Sequence, residues 1–523
     1  MASSETTPLL QQDTPTPQII PDEEATDARR GTFSRNLGAI DGFALLISIV
    51  IGSGIFSSPG PVDANVPSPG AALLIWLLGG VLAWTGALTM AELGTAFPGE
   101  GGIQPYLSHI YGEVFGYMAA WSWIVATMPA TLAILSIVFV ESIYSSLGVN
   151  EAYPPLTHKL LSLLVLVVVT TLNSISTKTS TRLSSFFVAV KLFTILLLIV
   201  AGLVAVFVFV GGGRDLGGGD WHSHNWFSPR DTVLPDGSRF DWAKVTTWES
   251  LGFYSTALYG ALWAYSGWDK ANYVAAELRN PRKQLPLSIN TAIPTIILCY
   301  VAANAVYYIL LPWKVVSTTD AAAVTAVTHF LGKGVAYFAT VLICLVIAGS
   351  ALGNSFVAGR MTVAAANKNW IPHVLGTVGQ IGTLKVSKAS DAGPVGVDEA
   401  LDKGESPINA LLLNTVLSAI YILLGNMRIL LTLNGLAEYA FFFLTVLGAI
   451  ILRFREPNLN RPVKPFILIP VLFAVISGFV VVRGAFFAPV QAGILLGIWL
   501  IGAVFYYVRL WVLVRAESAR RRE

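Results

Sequence analysis

The stretch Ile49-Val50-Ile51-Gly52-Ser53-Gly54-Ile55-Phe56 constrains this chain more than any other. It lies inside an apolar run that begins near Phe43. A membrane helix needs no glycine pair at its centre, and each glycine weakens a helix by about 1 kcal/mol relative to alanine. In lipid, every backbone N–H and C=O that an unwound turn frees must find a partner. A break at this point is therefore tolerated only where it is buried or lines a cavity. One reading is close helix packing by small residues. The other is a broken helix of the kind found in transporters, whose second half aims its amides at an anionic group.

A second interruption favours the latter. Ala264-Tyr265-Ser266-Gly267-Trp268-Asp269 divides another apolar run far downstream, again with a glycine, a small hydroxyl residue and polar groups. Interrupted hydrophobic segments at corresponding places in two halves are the best sequence pointer to a transport site.

Of the 523 residues, 54% are hydrophobic and 12% charged. Soluble domains carry about 25% charged residues, so this is a polytopic membrane protein. A net charge of +2 carries no sign of a nucleic-acid partner. Cys299 and Cys344 both lie in apolar runs and read as small buried residues, without a disulfide framework. The scattered histidines form no metal cluster, and no phosphate loop or nucleophilic triad emerges. An enzyme and a bound cofactor are accordingly not expected.

Spans of about 20 apolar residues are expected to start near Leu37, Gly70, Glu113, Leu156, Phe186, Leu251, Leu287, Gly334, Ile408, Met427, Phe466 and Val490. Twelve spans put both termini on one side. Arg29, Arg30 and Arg35 precede the first span, and Arg515, Arg520, Arg521 and Arg522 follow the last. Lys178 with Arg182, Arg279 with Arg282 and Lys283, and Arg453 with Arg455, Arg461 and Lys464 make alternate loops basic. The positive-inside rule places all of these in the cytosol. The expected organisation is a disordered cytosolic tail (1–36), a twelve-span domain (37–511) with a polar cytosolic insertion (376–407), and a basic cytosolic tail (512–523). The long segment from Gly211 to Glu249 falls on the opposite side. No cleavable signal peptide is visible. Glu5-Thr6-Thr7-Pro8-Leu9-Leu10 matches an acidic dileucine pattern, which names a vacuolar or endosomal membrane as the alternative to the plasma membrane.

Ionisable residues inside spans are costly and often functional. Glu92 reads as an interfacial carboxylate meeting water or a basic loop. Lys191 either snorkels to the interface or is a buried ammonium joining two helices. Asp269 and Lys270 are adjacent, so they do not face each other on a helix, and one or both can line a cavity or gate. Glu438, before Phe441-Phe442-Phe443, is either a protonated structural residue or a group that attracts a cation or carries a proton. Arg360 reads as an interface anchor. Trp263 precedes the second break, where an aromatic packs or closes a gate.

The chain resembles the L-type amino acid transporter family, the light chains of heteromeric amino acid transporters, within the amino acid–polyamine–organocation superfamily. The resemblance runs through Ile51 to Phe56, Ala87 to Thr95 with Gly101-Gly102, Asn173 to Lys178 with Thr181-Arg182, Trp263 to Trp268, and Tyr273-Val274. It continues in Glu277 to Pro281, Leu285-Pro286-Leu287, Arg455-Glu456-Pro457 and Arg461-Pro462. It implies a LeuT-type fold: two inverted five-helix repeats, with helices 1 and 6 broken, plus two further helices. It also implies sodium-independent exchange of L-amino acids by alternating access. Gly52, Ser53 and Gly54 would take the substrate carboxylate, and carbonyls near Val50 and Trp263 its amino group. Ser266 occupies the adjacent pocket position, Trp263 matches a gate, and Lys191 matches a fifth-helix lysine at a region used for sodium in related carriers.

The sequence departs from that pattern in places. The light chains carry a cysteine between spans 3 and 4 that bridges to a single-span glycoprotein, and residues 141–159 contain none. A carrier working alone, as in microbial and fungal relatives, is the expectation. Asp269 and Glu438 favour a positive side chain or a coupled proton. Exchange of neutral and cationic amino acids is the leading reading. A proton-coupled uniporter or symporter, or a transporter-like nutrient receptor, is the alternative.

Overall fold

The computed structural model describes residues 51–97, 102–149, 156–175, 177–270, 281–377 and 406–520, together with Ile40, Phe43, Leu46, Ile47 and Val50. Two units divide at Ser34. The expected tail (1–36), most of the insertion (376–407) and most of the first span lie outside the described residues, so everything below concerns the second unit.

The described chain is mostly helical. Short helices α1 (Gly54–Ser57) and α2 (Pro59–Asp63) follow the first break. The long elements are α3 (Pro69–Ala96), α4 (Ile103–Tyr111), α5 (Glu113–Leu147), α6 (Leu156–Ile175) and α7 (Thr177–Gly212). After α8 (Asp220–Ser223) come α9 (Thr247–Ala264), α10 (Pro281–Leu310), α11 (Trp313–Val316) and α12 (Ala322–Asn367). Last are α13 (Ile408–Leu424), α14 (Met427–Arg455), α15 (Leu468–Phe487) and α16 (Pro489–Arg520). Among the described residues, nine helices are long and apolar enough to cross a membrane, while Ile408–Leu424 is a shorter apolar helix. The expected start at Gly334 falls just after a kink in α12, where Gly332 has φ 80°.

Local chemistry sets the helix ends. Ser68 accepts the Ala71 amide ahead of Pro69 at the first turn of α3. Thr246 and Glu249 form a reciprocal capping box at α9. Asn426 accepts the Ile429 amide to open α14. Within α5, residues Trp123–Thr127 widen into a π-turn. Pro129 cannot donate to the carbonyl four residues back, and Tyr421 of α13 donates its hydroxyl to that Val125 carbonyl at 3.1 Å. A neighbouring helix thus satisfies the group the proline frees, as a lipid environment demands.

The mostly helical chain also carries one short extended element. Between α8 and α9, Thr232–Val233 pairs antiparallel with Arg239–Phe240 as a two-stranded ribbon, β1 and β2. Asp236 accepts from the Ser238 amide and hydroxyl, and Gly237 takes φ 80°, so the turn is built by residues suited to it. The segment from Gly211 to Glu249 thus carries folded structure of its own.

Glu92 near the end of α3 is 1% exposed. Arg453 of α14 donates to both its oxygens at 3.0 and 2.5 Å, and Arg461 approaches at 3.3 Å. Arg453 also donates to the Pro465 carbonyl, and Arg461 to those of Leu452 and Glu456. The carboxylate meets a basic loop, as read from the sequence. Removing one side of a buried pair strands the other charges, at about 3–5 kcal/mol. Glu92→Gln is therefore expected to lower the thermal midpoint of the purified chain sharply, and Glu92→Gln with Arg453→Met is expected to recover part of the loss. An unchanged midpoint in the single variant would refute this role.

Candidate functional site

The two breaks meet. A Cβ added at Gly54 would lie 2.5 Å from the Cα of Ala264 and 2.8 Å from its Cβ, so only glycine lets these backbones approach so closely. The last turn before the first break closes with the Ile51 amide on the Ile47 carbonyl. Order resumes where the Phe56 amide reaches Ser53 and the Ser58 amide reaches Gly54. Between them, among the described residues, the amides of Gly54 and Ile55 have no backbone acceptor. Ser53 is the N-cap of α1, yet its side chain makes no capping bond. Ser53 is buried, so this helix start holds a hydroxyl without a capping role beside two amides without a backbone acceptor among the described residues.

The carbonyl side is organised by a residue that the sequence reading did not single out. Tyr300 of α10, fully buried, sits 3.1 Å from both the Val50 and the Ala264 carbonyl oxygens, spanning the two breaks with one hydroxyl. The Trp263 carbonyl accepts the Ser266 amide at 3.1 Å. Each of these oxygens keeps a second lone pair. Tyr307 donates to the Ile55 carbonyl at 3.1 Å. Tyr300, Asn304 and Tyr307 follow helical spacing along α10 and are all buried, and that polar stripe in an apolar span was the available signal. Gly267, at φ 108°, turns the chain out of the second break.

The remaining candidates fall into separate groups. A Cβ at Gly52 would have Ser350 Oγ of α12 as its nearest side-chain atom, at 3.9 Å. Phe187, one turn before Lys191 on α7, rests against Gly349 beside that serine. Lys191 is itself buried, which favours the buried ammonium over a snorkelling one. Trp263 is buried at the end of α9 and Ser266 is half-buried. Asp269 and Glu438 both lie within electrostatic range of one tyrosine, Tyr439. The Trp268 ring packs 4.7 Å from Phe442 and 5.6 Å from Phe473. Arg360 lies 3.9 Å over the Phe356 ring, its neighbour one turn back. The side chain of Lys270 lies outside the described residues.

The folded segment between α8 and α9 holds the far end of the first broken helix. Arg230 donates to both oxygens of the wholly buried Asp63 at 2.7 Å, and Tyr308 donates to the same carboxylate at 2.6 Å. Burial opposes the Arg230 charge, but Asp63, Tyr308 and Asp220 outweigh it and raise its pKa. Gly60 of α2 abuts the Thr319 carbonyl, where an added Cβ would clash.

Comparison with known proteins bears on this arrangement. The sequence profile of the amino acid permease family matches residues 37–514. The chain belongs to the amino acid permease family. This permease is 30% identical over 488 residues to the human b(0,+)-type amino acid transporter 1, covering 92% of this chain and 89% of the relative. It is 27% identical to the mouse large neutral amino acids transporter small subunit 2, over 93% of this chain and 83% of the relative. With the mouse Asc-type amino acid transporter 1 the identity is 28%, over 92% and 82%. The L-type resemblance read from the motifs holds along the whole bundle. The permease is an integral membrane protein.

Two substitutions test the geometry. Gly54→Ala in the permease drives a methyl into Ala264 and is expected to abolish uptake. Tyr300→Phe removes one hydroxyl at the two carbonyls, each bond worth about 1 kcal/mol, and is expected to reduce uptake while the protein still assembles. Radiolabelled uptake with surface-expression controls reads both. Normal uptake by Gly54→Ala would show that the breaks do not work at this spacing.

Proposed function

We propose that the permease is a sodium-independent exchanger of L-amino acids, with twelve spans in a LeuT-type arrangement working by alternating access. The observation that carries this is the pairing of free Gly54 and Ile55 amides and the uncommitted Ser53 hydroxyl with the carbonyls that Tyr300 gathers. Gly52, Ser53 and Gly54 take the substrate carboxylate. The spare lone pairs of the Val50, Trp263 and Ala264 carbonyls take its ammonium. Trp263 closes over the substrate, with Ser266 beside it. Lys191 supplies a fixed positive charge near the first break, where a sodium-coupled carrier holds its ion. Binding energy biases an equilibrium between outward- and inward-open states, and no chemical step is involved. The names of the relatives support amino acids as the substrate class.

Asp269 and Glu438 favour neutral and cationic side chains over acidic ones. The lack of cysteine in residues 141–159 supports a carrier that needs no disulfide-linked heavy chain. The plasma membrane is its place, with the Glu5-to-Leu10 motif marking a vacuolar or endosomal route as the alternative. A second reading rests on Glu438, which is 8% exposed: a carboxyl so buried can carry a proton, making the permease a proton-coupled uniporter or symporter.

Liposomes containing the purified chain alone separate these readings. Leucine and arginine uptake that requires internal unlabelled amino acid supports the exchanger. Uptake into empty vesicles that rises with external acidity supports proton coupling instead, and binding without flux under either condition argues for a receptor. Ser53→Ala is expected to weaken apparent affinity roughly tenfold or more, the loss of a hydrogen bond to a charged group. Wild-type affinity in that variant would remove Ser53 from the site.

A further inference from the structure

The start of α5, the end of α12 and the last turns of α16 meet at one corner of the bundle, at its basic end. The fully buried Tyr117 of α5 lies at the centre, with the rings of Tyr506 at 5.0 Å and Trp370 at 6.3 Å. Among the described residues its hydroxyl has no hydrogen-bond partner. Arg509 is close enough to influence that hydroxyl. Its guanidinium sits 5.9 Å from the Tyr506 ring, and its side chain is 17% exposed. One edge of the guanidinium is spoken for: Nη1 lies 3.8 Å from the Glu113 carboxylate, which also accepts the Trp370 indole at 2.9 Å. Nε has no partner among the described residues.

Among the described residues, two nearly dehydrated donors are thus left unpaired in one corner. An unmet buried donor costs about 1–3 kcal/mol, and native structures leave few of them without a reason. An oxygen-rich anion satisfies both. The surroundings indicate its source. The exposed Lys368 places its ammonium 4.8 Å over the Trp370 ring at the mouth of the corner. Beyond it, α16 turns Tyr507 and Trp511 outward, 59% and 55% exposed, as a membrane-facing aromatic rim. Arg515 stacks on Trp511 at 3.8 Å, and Arg520, Arg521 and Arg522 continue the positive run in the sequence. Basic pockets between helices at the cytosolic leaflet suit acidic lipid headgroups.

We propose that the corner formed by Tyr117, Lys368 and Arg509 binds the phosphate of an anionic lipid headgroup in the cytosolic leaflet. The arginine tail draws such lipids in, and the buried donors select and orient one of them. The readout is lipid retention, so the site stands or falls separately from the exchange mechanism.

The test is native mass spectrometry of the full chain released from nanodiscs of phosphatidylcholine mixed with phosphatidylserine. Phosphatidylserine is expected to be retained in preference. Arg509→Gln and the surface change Lys368→Gln are each expected to weaken retention roughly fivefold, about 1 kcal/mol per basic residue. Tyr117→Phe is expected to weaken it without changing the charge. Lys368→Gln alters only the exposed rim, so its result does not depend on the core refolding around a new side chain. Retention that ignores all three changes but vanishes when Arg520, Arg521 and Arg522 become glutamine would reduce the effect to loose attraction and overturn the site. Displacement of the lipid by inorganic phosphate would overturn the lipid source.

Discussion

Everything in this bundle depends on one constraint: a peptide group unwound inside lipid must be met by another part of the protein. The permease unwinds two helices and meets the cost with a tyrosine face. Tyr300 answers carbonyls from both breaks and Tyr307 answers one just past the first. The same device recurs away from the site, where Tyr421 takes the carbonyl that Pro129 frees. Among the described residues, the amides of Gly54 and Ile55 at the start of α1 are left without a backbone acceptor.

Charge is treated in the same way at the two ends of the bundle. Glu92 is enclosed by two arginines from a distant stretch of chain, and Asp63 by an arginine from the segment between α8 and α9 and a tyrosine from α10. Ion pairs so deeply buried are poor sources of net stability, because desolvation consumes much of their attraction. Their value is in register. Each fixes one helix end against one loop.

Much of this was legible in the sequence. Gly52-Ser53-Gly54 and Ser266-Gly267 announce breaks because each pairs glycine with a hydroxyl residue in mid-span, and the two interruptions occupy corresponding places in the two halves. Most span starts fall within a few residues of the helices, because twenty apolar residues leave little freedom. The partner of Glu92 was legible only as a basic loop, since pairing across hundreds of residues leaves no local trace. Tyr300 was passed over because a tyrosine in an apolar span resembles ordinary packing until its neighbours at helical spacing are counted. The ribbon at Thr232 to Phe240 was hidden by its brevity, two residues to a strand. Asp269 and Glu438 drew attention as isolated charges, and sequence could not tell that both lie within reach of one tyrosine.

The clasp between Arg230 and Asp63 has a mechanical corollary. Asp63 ends the half-helix that begins at the glycine turn, and Arg230 belongs to a folded segment outside the apolar spans. Two charge-assisted bonds of 2.7 Å join them. A shift of the half-helix must either break those bonds or carry the segment along. The ribbon segment is therefore a handle on the buried turn: whatever restrains the segment restrains the half-helix as well.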